Sequence, residues 1–209
     1  MFAHKKGMAV LFGALFALLG LSAAVQALDT SNVAFIQTST SATSIPVGHA
    51  EFCKARPAEC QPNANQVSAV PLTEALWQQL QAINTHFNQT IVAVTDEDLY
   101  QVAEFWTYPN GYGDCEDFAL AKRRELINAG WPASTLLMSV VKQANGEGHA
   151  VLLVRTDRGD LVLDNQVGTI DLWSQTPYKF IKRQSQADAS QWVDMFDGRD
   201  INVITAAIK

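Results

Sequence analysis

The sequence is poor in basic residues, and this scarcity excludes one large class of partners. Its 209 residues include 15 Lys and Arg against 21 Asp and Glu, for a formal net charge of −6. Phosphate contacts need clustered Lys and Arg, so an acidic chain of this composition is a poor nucleic-acid binder. We therefore expect no nucleic-acid partner.

Long hydrophobic runs are absent beyond the first 25 residues. The one such run, over residues 8–25, follows Lys5 and Lys6 and ends in small residues near a candidate cleavage triplet at 25–27. This pattern is typical of a signal peptide, so residues 1–27 are predicted to direct export to the periplasm and to be removed. The alternative is an uncleaved anchor, since the run is just long enough to span a bilayer. Cleavage is favoured because no basic cluster follows, and it would leave no stable membrane span.

Cysteine is scarce, and its count is odd. Cys53 and Cys60 lie seven residues apart with Pro57 between them, a spacing that suits a local disulfide in an oxidising compartment. Cys115 is then left over, as an intermolecular link, a reactive thiol or a buried inert residue. The sequence alone also permits Cys115 to pair with Cys53 or Cys60.

The pattern beyond the signal predicts one α+β domain over residues 49–209. The Ser/Thr-rich stretch 28–48 has little periodicity and is expected to be an extended lead-in. Apolar spacing and stop signals predict core-facing helices over 72–88 and 115–132. Strand-like segments separated by turn signals predict an antiparallel meander over 135–143, 149–155 and 160–165, with a further strand at 178–184. Helices followed by a meander are typical of an α+β fold.

The segment GDCEDFAL, residues 113–120, places Cys115 at the first turn of a helix and between acids. A thiol attacks as its thiolate, and nearby carboxylates disfavour that ion. A cysteine nucleophile also needs a base, and the base needs an orienting partner. His149 is the strongest candidate base, because it starts a predicted strand behind a glycine loop.

Strand register decides which residue can orient His149. If the strands 149–155 and 160–165 join through a two- or four-residue loop, Asp164 becomes the diagonal neighbour of His149 on the same face. A three-residue loop brings Asn165 onto that face instead. Asp164 is only modestly favoured on these grounds, and the pair 164–165 also fits a simple strand-ending turn.

Three motifs carry a family resemblance. GDCEDFALAKRRELINAGWP, GEGHAVLLVRTDRGDLVLDN and KFIKRQSQ resemble the bacterial transglutaminase-like cysteine proteinases, which are related to LapG-type periplasmic proteases that cut surface adhesins. The resemblance covers roughly residues 46–196 and includes the FC…EC pair. It implies a papain-like, transglutaminase-like fold, with the catalytic cysteine at a helix start packed on an antiparallel sheet. Carried over by position, it makes Cys115 the nucleophile, His149 the base and Asp164 the orienting residue.

The resemblance implies a periplasmic cysteine peptidase that hydrolyses a peptide bond in a protein substrate, with cell-surface or adhesin proteins as candidates. The sequence is closer to a sister group with the FC…EC pair and the KRQSQ tail than to the adhesin-cleaving members. The family resemblance therefore supports the active-site chemistry better than it supports an adhesin as the substrate. Two alternatives stay open: an acyltransferase or deamidase acting on glutamine side chains with the same triad, and a non-catalytic periplasmic binding module.

The acids around Cys115 have two interpretations. In the LapG-type relatives, acids flanking the catalytic cysteine bind calcium, and by position these are Asp114 and Glu116 here. A divalent cation would offset the negative field that opposes thiolate formation. The competing interpretation is helix capping, because Asp114 and Asp117 could accept from free N–H groups of the first turn. Ca²⁺ takes about 6–8 oxygens, and the sequence supplies only two or three.

Overall fold

The computed structural model of the chain describes residue 1 and residues 35–199. The predicted signal peptide over residues 1–27 therefore lies, apart from Met1, outside the described residues. Within the described part, no helix combines the length and the apolar character that crossing a bilayer requires.

The described residues form four α-helices and nine β-strands. The helices are α1 (Val47–Ala55), α2 (Glu74–Thr90), α3 (Asp96–Tyr100) and α4 (Cys115–Asn128). The strands are β1 (Gln37–Thr43), β2 (Val92–Ala93), β3 (Tyr112–Gly113), β4 (Leu136–Lys142), β5 (Gly148–Thr156), β6 (Gly159–Leu163), β7 (Asp171–Leu172), β8 (Lys179–Gln184) and β9 (Trp192–Phe196).

Seven of these strands make one antiparallel sheet in the order β1-β9-β8-β4-β5-β6-β7. Helix α4 packs on β4 and β5, and α2 packs on α4. The helix covers the middle of the sheet because its inward face is apolar, with Ala119, Leu120 and Leu126 buried in one cluster with residues of the sheet. The α+β class and the meander β4-β5-β6 confirm the sequence predictions.

Helix α2 begins where its sequence indicates. The Thr73 side chain accepts from the backbone N–H of Leu76, which satisfies one of the free donors of the first turn. Helix α4 ends at Asn128 and is followed by Gly130, whose φ of +94° suits a residue without a Cβ.

The N-terminal part of the described chain departs most from the sequence prediction, which expected an extended lead-in over residues 28–48. Gln37–Thr43, within the Ser/Thr-rich segment, is an edge strand paired with β9. Cys53 lies on α1, a helix that the sequence analysis did not predict. It forms the predicted disulfide with Cys60, and Cys115 is the free cysteine. Polar residues at a sheet edge carry no burial pattern, which is why the strand left no periodic signal.

The turn between β5 and β6 fixes the register of the central hairpin. Thr156 pairs with Gly159 and Leu152 pairs with Leu163, so the turn contains two residues, Asp157 and Arg158. This register confirms the two-residue alternative predicted from the sequence. It places position 164 diagonally across from position 149 on the same face of the sheet.

Gly48 lets α1 approach the ring of Trp106. A Cβ at Gly48 would lie 2.2 Å from Cδ1 of Trp106, far inside van der Waals contact. Trp106 is buried, makes edge-on contacts with His49 and Trp192 and donates from Nε1 to Glu104, so moving its ring would break these contacts. The absence of a side chain at position 48 is therefore a packing requirement.

We predict that Gly48→Ala lowers the free energy of unfolding by about 1–3 kcal/mol, the usual cost of overpacking a filled core. Urea denaturation followed by tryptophan fluorescence measures the change. Gly168→Ala is the matched control, because a Cβ there meets no atom within 4 Å. The control should stay within about 0.5 kcal/mol of wild type. Equal stability of all three proteins would contradict the packing argument.

Candidate active site

Cys115 is the first residue of α4 and is half-buried at the sheet surface. The turn before it is held by Asp117, whose Oδ1 accepts from the Thr107 backbone N–H at 2.8 Å. Gly113 allows this arrangement, since a Cβ there would lie 2.6 Å from the other oxygen of Asp117. The chain therefore reaches Cys115 in a defined direction, with the side chain over β5.

The Cys115 sulfur has two hydrogen-bond partners. Sγ accepts from the Ala150 backbone N–H at 3.3 Å and donates to Oε2 of Glu116 at 3.1 Å. Burial and the Glu116 charge raise the pKa of the Cys115 thiol well above its ordinary value. With no added positive charge, the site therefore favours the neutral thiol over the thiolate.

His149 is the second residue of β5 and lies buried beside Cys115 in the same cleft. Its Nε2 is 2.9 Å from Oδ1 of Asp164, so Nε2 carries the proton that the carboxylate accepts. Nδ1 is then the acceptor, and it takes a hydrogen bond from the Gln166 side-chain amide at 3.4 Å. Among residues 35–199 there is no hydrogen bond between the thiol and the imidazole, although both line the cleft.

Asp164 is buried just beyond the end of β6, and both of its oxygens are hydrogen-bonded. Oδ1 also accepts from the Gln166 backbone N–H at 3.0 Å, and Oδ2 accepts from the Tyr178 hydroxyl. Burial acts to raise the pKa of Asp164, but the hydrogen bonds from His149, Tyr178 and Gln166 outweigh it and hold the pKa below its ordinary value. Asp164 is thus an ionised partner for the imidazole.

A second cluster, which we call the acidic cluster, consists of Asp96, Asp114 and Glu116. One carboxylate oxygen from each lies within 4.8 Å of the others. Each residue also has a buried oxygen with no hydrogen-bond partner among the described residues. Burial and the neighbouring Asp114 charge raise the pKa of Glu116 to about 9, and burial raises the pKa of Asp114.

The donor set of the acidic cluster fits a hard divalent cation. Three carboxylates with unpartnered oxygens are typical ligands for Ca²⁺, which binds oxygen and tolerates irregular geometry. Helix capping does not account for Asp114, because its side chain makes no cap hydrogen bond and instead lies 3.4 Å from the Asp96 backbone N–H. An oxygen buried without a hydrogen-bond partner is costly, and a cation or a water molecule is the kind of group that would offset this cost.

The cleft that contains Cys115 and His149 has a volume of about 440 Å³. Its walls combine apolar side chains with carboxylates; the lining residues are Pro46, Val47, Glu104, Trp106, Cys115, Glu116, Val140, Gly148, His149 and Ala150. The Trp106 ring is fixed by its Nε1, which donates to Glu104 at 3.0 Å. The thiol therefore lies on one wall of an open cleft whose lining is partly apolar and partly acidic.

The sequence matches the profile of the bacterial transglutaminase-like cysteine proteinases (BTLCP) over residues 39–200. The chain belongs to this family. It is accordingly a cysteine peptidase of the transglutaminase-like type. No curated protein matches the sequence significantly.

Solved structures similar to this proteinase include three of LapG from Legionella pneumophila. The calcium-bound form is 22% identical, with 64% of this chain and 81% of that chain covered and a TM-score of 0.48. The EGTA-treated form is 22% identical over 64% and 80% of the two chains, with a TM-score of 0.49. A third LapG structure is 26% identical, with 63% of this chain and 76% of that chain covered and a TM-score of 0.48.

The fold of this proteinase places Cys115, His149 and Glu116 in one cleft, with Asp164 bound to Nε2 of His149 and Asp114 beside Glu116. Sequence reasoning gave no role to Gln166, Tyr178 or Asp96. The register of a two-residue turn places Gln166 opposite His149, which is the signal that points to it. Tyr178 and Asp96 lie in other parts of the chain, and no local pattern connects either residue to the site.

In the presence of a chelator, the proteinase is expected to lose stability as pH rises above the ordinary pKa of glutamate. The pKa of Glu116 is about 9 in the fold, against an ordinary value of 4.5. The folded state keeps a proton that the unfolded state releases, so this stabilisation is complete below the ordinary pKa and disappears toward pH 9. From pH 5 to pH 7 the free energy of unfolding should fall by about 2–3 kcal/mol more in wild type than in Glu116→Gln.

Urea denaturation in EGTA at several pH values measures this difference. The control is Glu97→Gln, which neutralises an exposed carboxylate on α3 beside Asp96. It should follow the wild-type pH dependence. Parallel curves for wild type and Glu116→Gln would show that Glu116 titrates normally in the fold.

Proposed function

We propose that this proteinase is a periplasmic peptidase that hydrolyses a peptide bond in a protein substrate through Cys115, His149 and Asp164. The supporting observation is the 2.9 Å contact between His149 Nε2 and Asp164 Oδ1, with Cys115 in the same cleft. An imidazole held by an ionised carboxylate has a fixed tautomer and leaves Nδ1 to act as the base. A thiol, a base and an orienting carboxylate are the groups that acyl transfer through a thioester requires.

In the proposed reaction, Nδ1 of His149 takes the Cys115 proton and the sulfur attacks the substrate carbonyl carbon. Asp164 stabilises the imidazolium that forms. The Cys115 backbone N–H, in the first turn of α4, has no acceptor within the helix and is placed to donate to the developing oxyanion. His149 then gives its proton to the leaving amine, and water hydrolyses the thioester to release the acid and the thiol.

We further propose that Asp96, Asp114 and Glu116 hold a calcium ion at the edge of the site. The support is the cluster of three carboxylates with unpartnered buried oxygens. Backbone carbonyls and water would complete the 6–8 oxygens that Ca²⁺ requires. When bound, the ion supplies positive charge that offsets the carboxylates opposing thiolate formation at Cys115.

Export to the periplasm is part of the same proposal. It is supported by the signal-like pattern of residues 1–27 and by the Cys53–Cys60 disulfide, since such bonds persist in oxidising compartments. A substrate that meets the enzyme there would be an exported or surface protein, with adhesins among the candidates. An extended segment of such a protein could enter the cleft, because the cleft opens to the surface and is not an enclosed cavity.

We predict that, with Ca²⁺ present, iodoacetamide labels Cys115 at neutral pH faster than it labels a free thiol. His149→Ala should slow the labelling by about a hundredfold or more, because the base is lost. Intact-mass spectrometry measures the rate on the single free cysteine of the described chain. His86→Ala, an exposed histidine on α2, should label as wild type does. A labelling rate equal to that of a free thiol, and insensitive to His149→Ala, contradicts the triad.

Comparison of protein termini separates hydrolysis from acyl transfer. Periplasmic and released proteins from cells with wild type should show new N-termini that are missing with Cys115→Ala. Deamidated or cross-linked glutamines without new termini would instead favour the acyltransferase or deamidase alternative. No difference between the two strains would favour a binding module.

Calcium titration calorimetry tests the metal proposal. Wild type should bind Ca²⁺, and Asp96→Asn should weaken the affinity by about tenfold or more, because affinity depends on the number of charged ligands. Glu97→Gln is the matched control, since its carboxylate is exposed one residue away. Calcium binding that Asp96→Asn leaves unchanged would remove Asp96 from the site, and no binding by wild type would remove the site itself.

A further inference from the structure

Lys122 is a fully buried lysine that the proposed chemistry does not use. It lies on α4 two helical turns after Cys115, on the same face of the helix. Its Nζ donates to the backbone carbonyl of Asp164 at 3.0 Å. Across residues 35–199, no carboxylate forms an ion pair with it. The ammonium is therefore directed at the main chain of the orienting residue.

Asn88 donates to the same carbonyl. Its Nδ2 lies 2.8 Å from the Asp164 oxygen and comes from α2, the helix that packs on α4. The last β5–β6 pair is Leu152 with Leu163, so Asp164 lies beyond the ladder. Two helices thus bind the backbone carbonyl of a residue that lies outside the hydrogen-bonded ladder of the sheet.

A buried ammonium is a costly way to fill this space. Lys122 replaces hydration with one carbonyl bond and the ring of Phe118, which lies 5.9 Å from Nζ. An apolar side chain of similar size would pack here without that desolvation cost. Burial lowers the pKa of Lys122 to about 7, while the Asp164 charge acts to raise it. The ammonium and the carboxylate of Asp164 therefore stabilise each other electrostatically.

We propose that Lys122 and Asn88 are positioning residues, which clamp the Asp164 main chain so that its carboxylate stays on Nε2 of His149. Lys122 also joins the helix that carries Cys115 to the backbone that carries Asp164. Because of this clamp, α4 and the backbone of Asp164 are held together, and the distance from Cys115 to Asp164 is fixed. The role of the clamp in catalysis rests on the triad proposed above. Its effect on the hydrogen bond between His149 and Asp164 can be measured without any catalysis.

The direct readout is the His149 ring in protein labelled with ¹⁵N-histidine. Long-range proton–nitrogen correlation identifies the Nε2–H tautomer, and His149→Ala assigns its signals. Lys122→Met removes the charge and the donor but keeps similar volume. We expect exchange of the Nε2 proton with water to become at least about tenfold faster in Lys122→Met, and Cys115 alkylation by iodoacetamide to fall by roughly tenfold to a hundredfold.

Asn88→Ala should change both readouts in the same direction, and it decides the question if Lys122→Met does not fold. Arg123→Met is the matched control, because Arg123 is another buried cation on α4 that donates to a backbone carbonyl, that of Leu136, away from the triad. Arg123→Met should leave the His149 exchange rate at its wild-type value. Its effect should be confined to stability.

Unchanged His149 exchange in folded Lys122→Met, or an equal acceleration in Arg123→Met, overturns the positioning role. If Lys122→Met does not fold, unchanged exchange in Asn88→Ala overturns it as well. Failure of the triad proposal looks different. In that case wild-type Cys115 labels as an ordinary free thiol, while the substitutions of Lys122 and Asn88 still accelerate exchange at His149.

Discussion

The pairing of β5 with β6 through a two-residue turn is the constraint on which the site depends. Side chains alternate along a strand, so a slip of one residue would move Asp164 off the face that His149 occupies. Thr156 and Gly159 close the turn, and Gly159 adopts a φ of +117° that favours glycine. The hydrogen bonds from Gln166 and Tyr178, and those from the helices to the Asp164 carbonyl, converge on the residue that this register places beside His149.

The second constraint is the negative charge around Cys115. It opposes formation of the thiolate that the arrangement of Cys115 and His149 would otherwise allow. The sheet and α4 bring a thiol and a base together, but the same turn of α4 buries carboxylates beside the thiol and raises its pKa. In each of Asp96, Asp114 and Glu116 one buried oxygen lacks a hydrogen-bond partner among the described residues, and burying such an oxygen costs stability. The proposed cation would bind these oxygens and offset the negative charge beside the thiol.

The features that could be predicted are those encoded in neighbouring segments. The meander and the Thr73 cap rest on local patterns, so hydrophobic runs and turn residues indicated them, whereas the length of the β5–β6 turn stayed open between two, three and four residues. Position 164 was favoured by register, while the family resemblance chose between Asp164 and Asn165. The parts that could not be predicted depend on distant pairings. The polar edge strand β1 pairs with β9 about 150 residues later, and Asp96 and Lys122 reach the site only after the helices have packed.

The central claim is that this acidic environment still yields a thiolate when His149 and a cation are present. Absorbance at 240 nm, followed as a function of pH, measures thiolate formation at Cys115 directly. In calcium, wild type should form the thiolate at a pH well below that of an ordinary thiol, and His149→Ala or EGTA should move the transition to higher pH. A wild-type transition at or above the ordinary thiol range in calcium, unchanged by His149→Ala, would contradict the account.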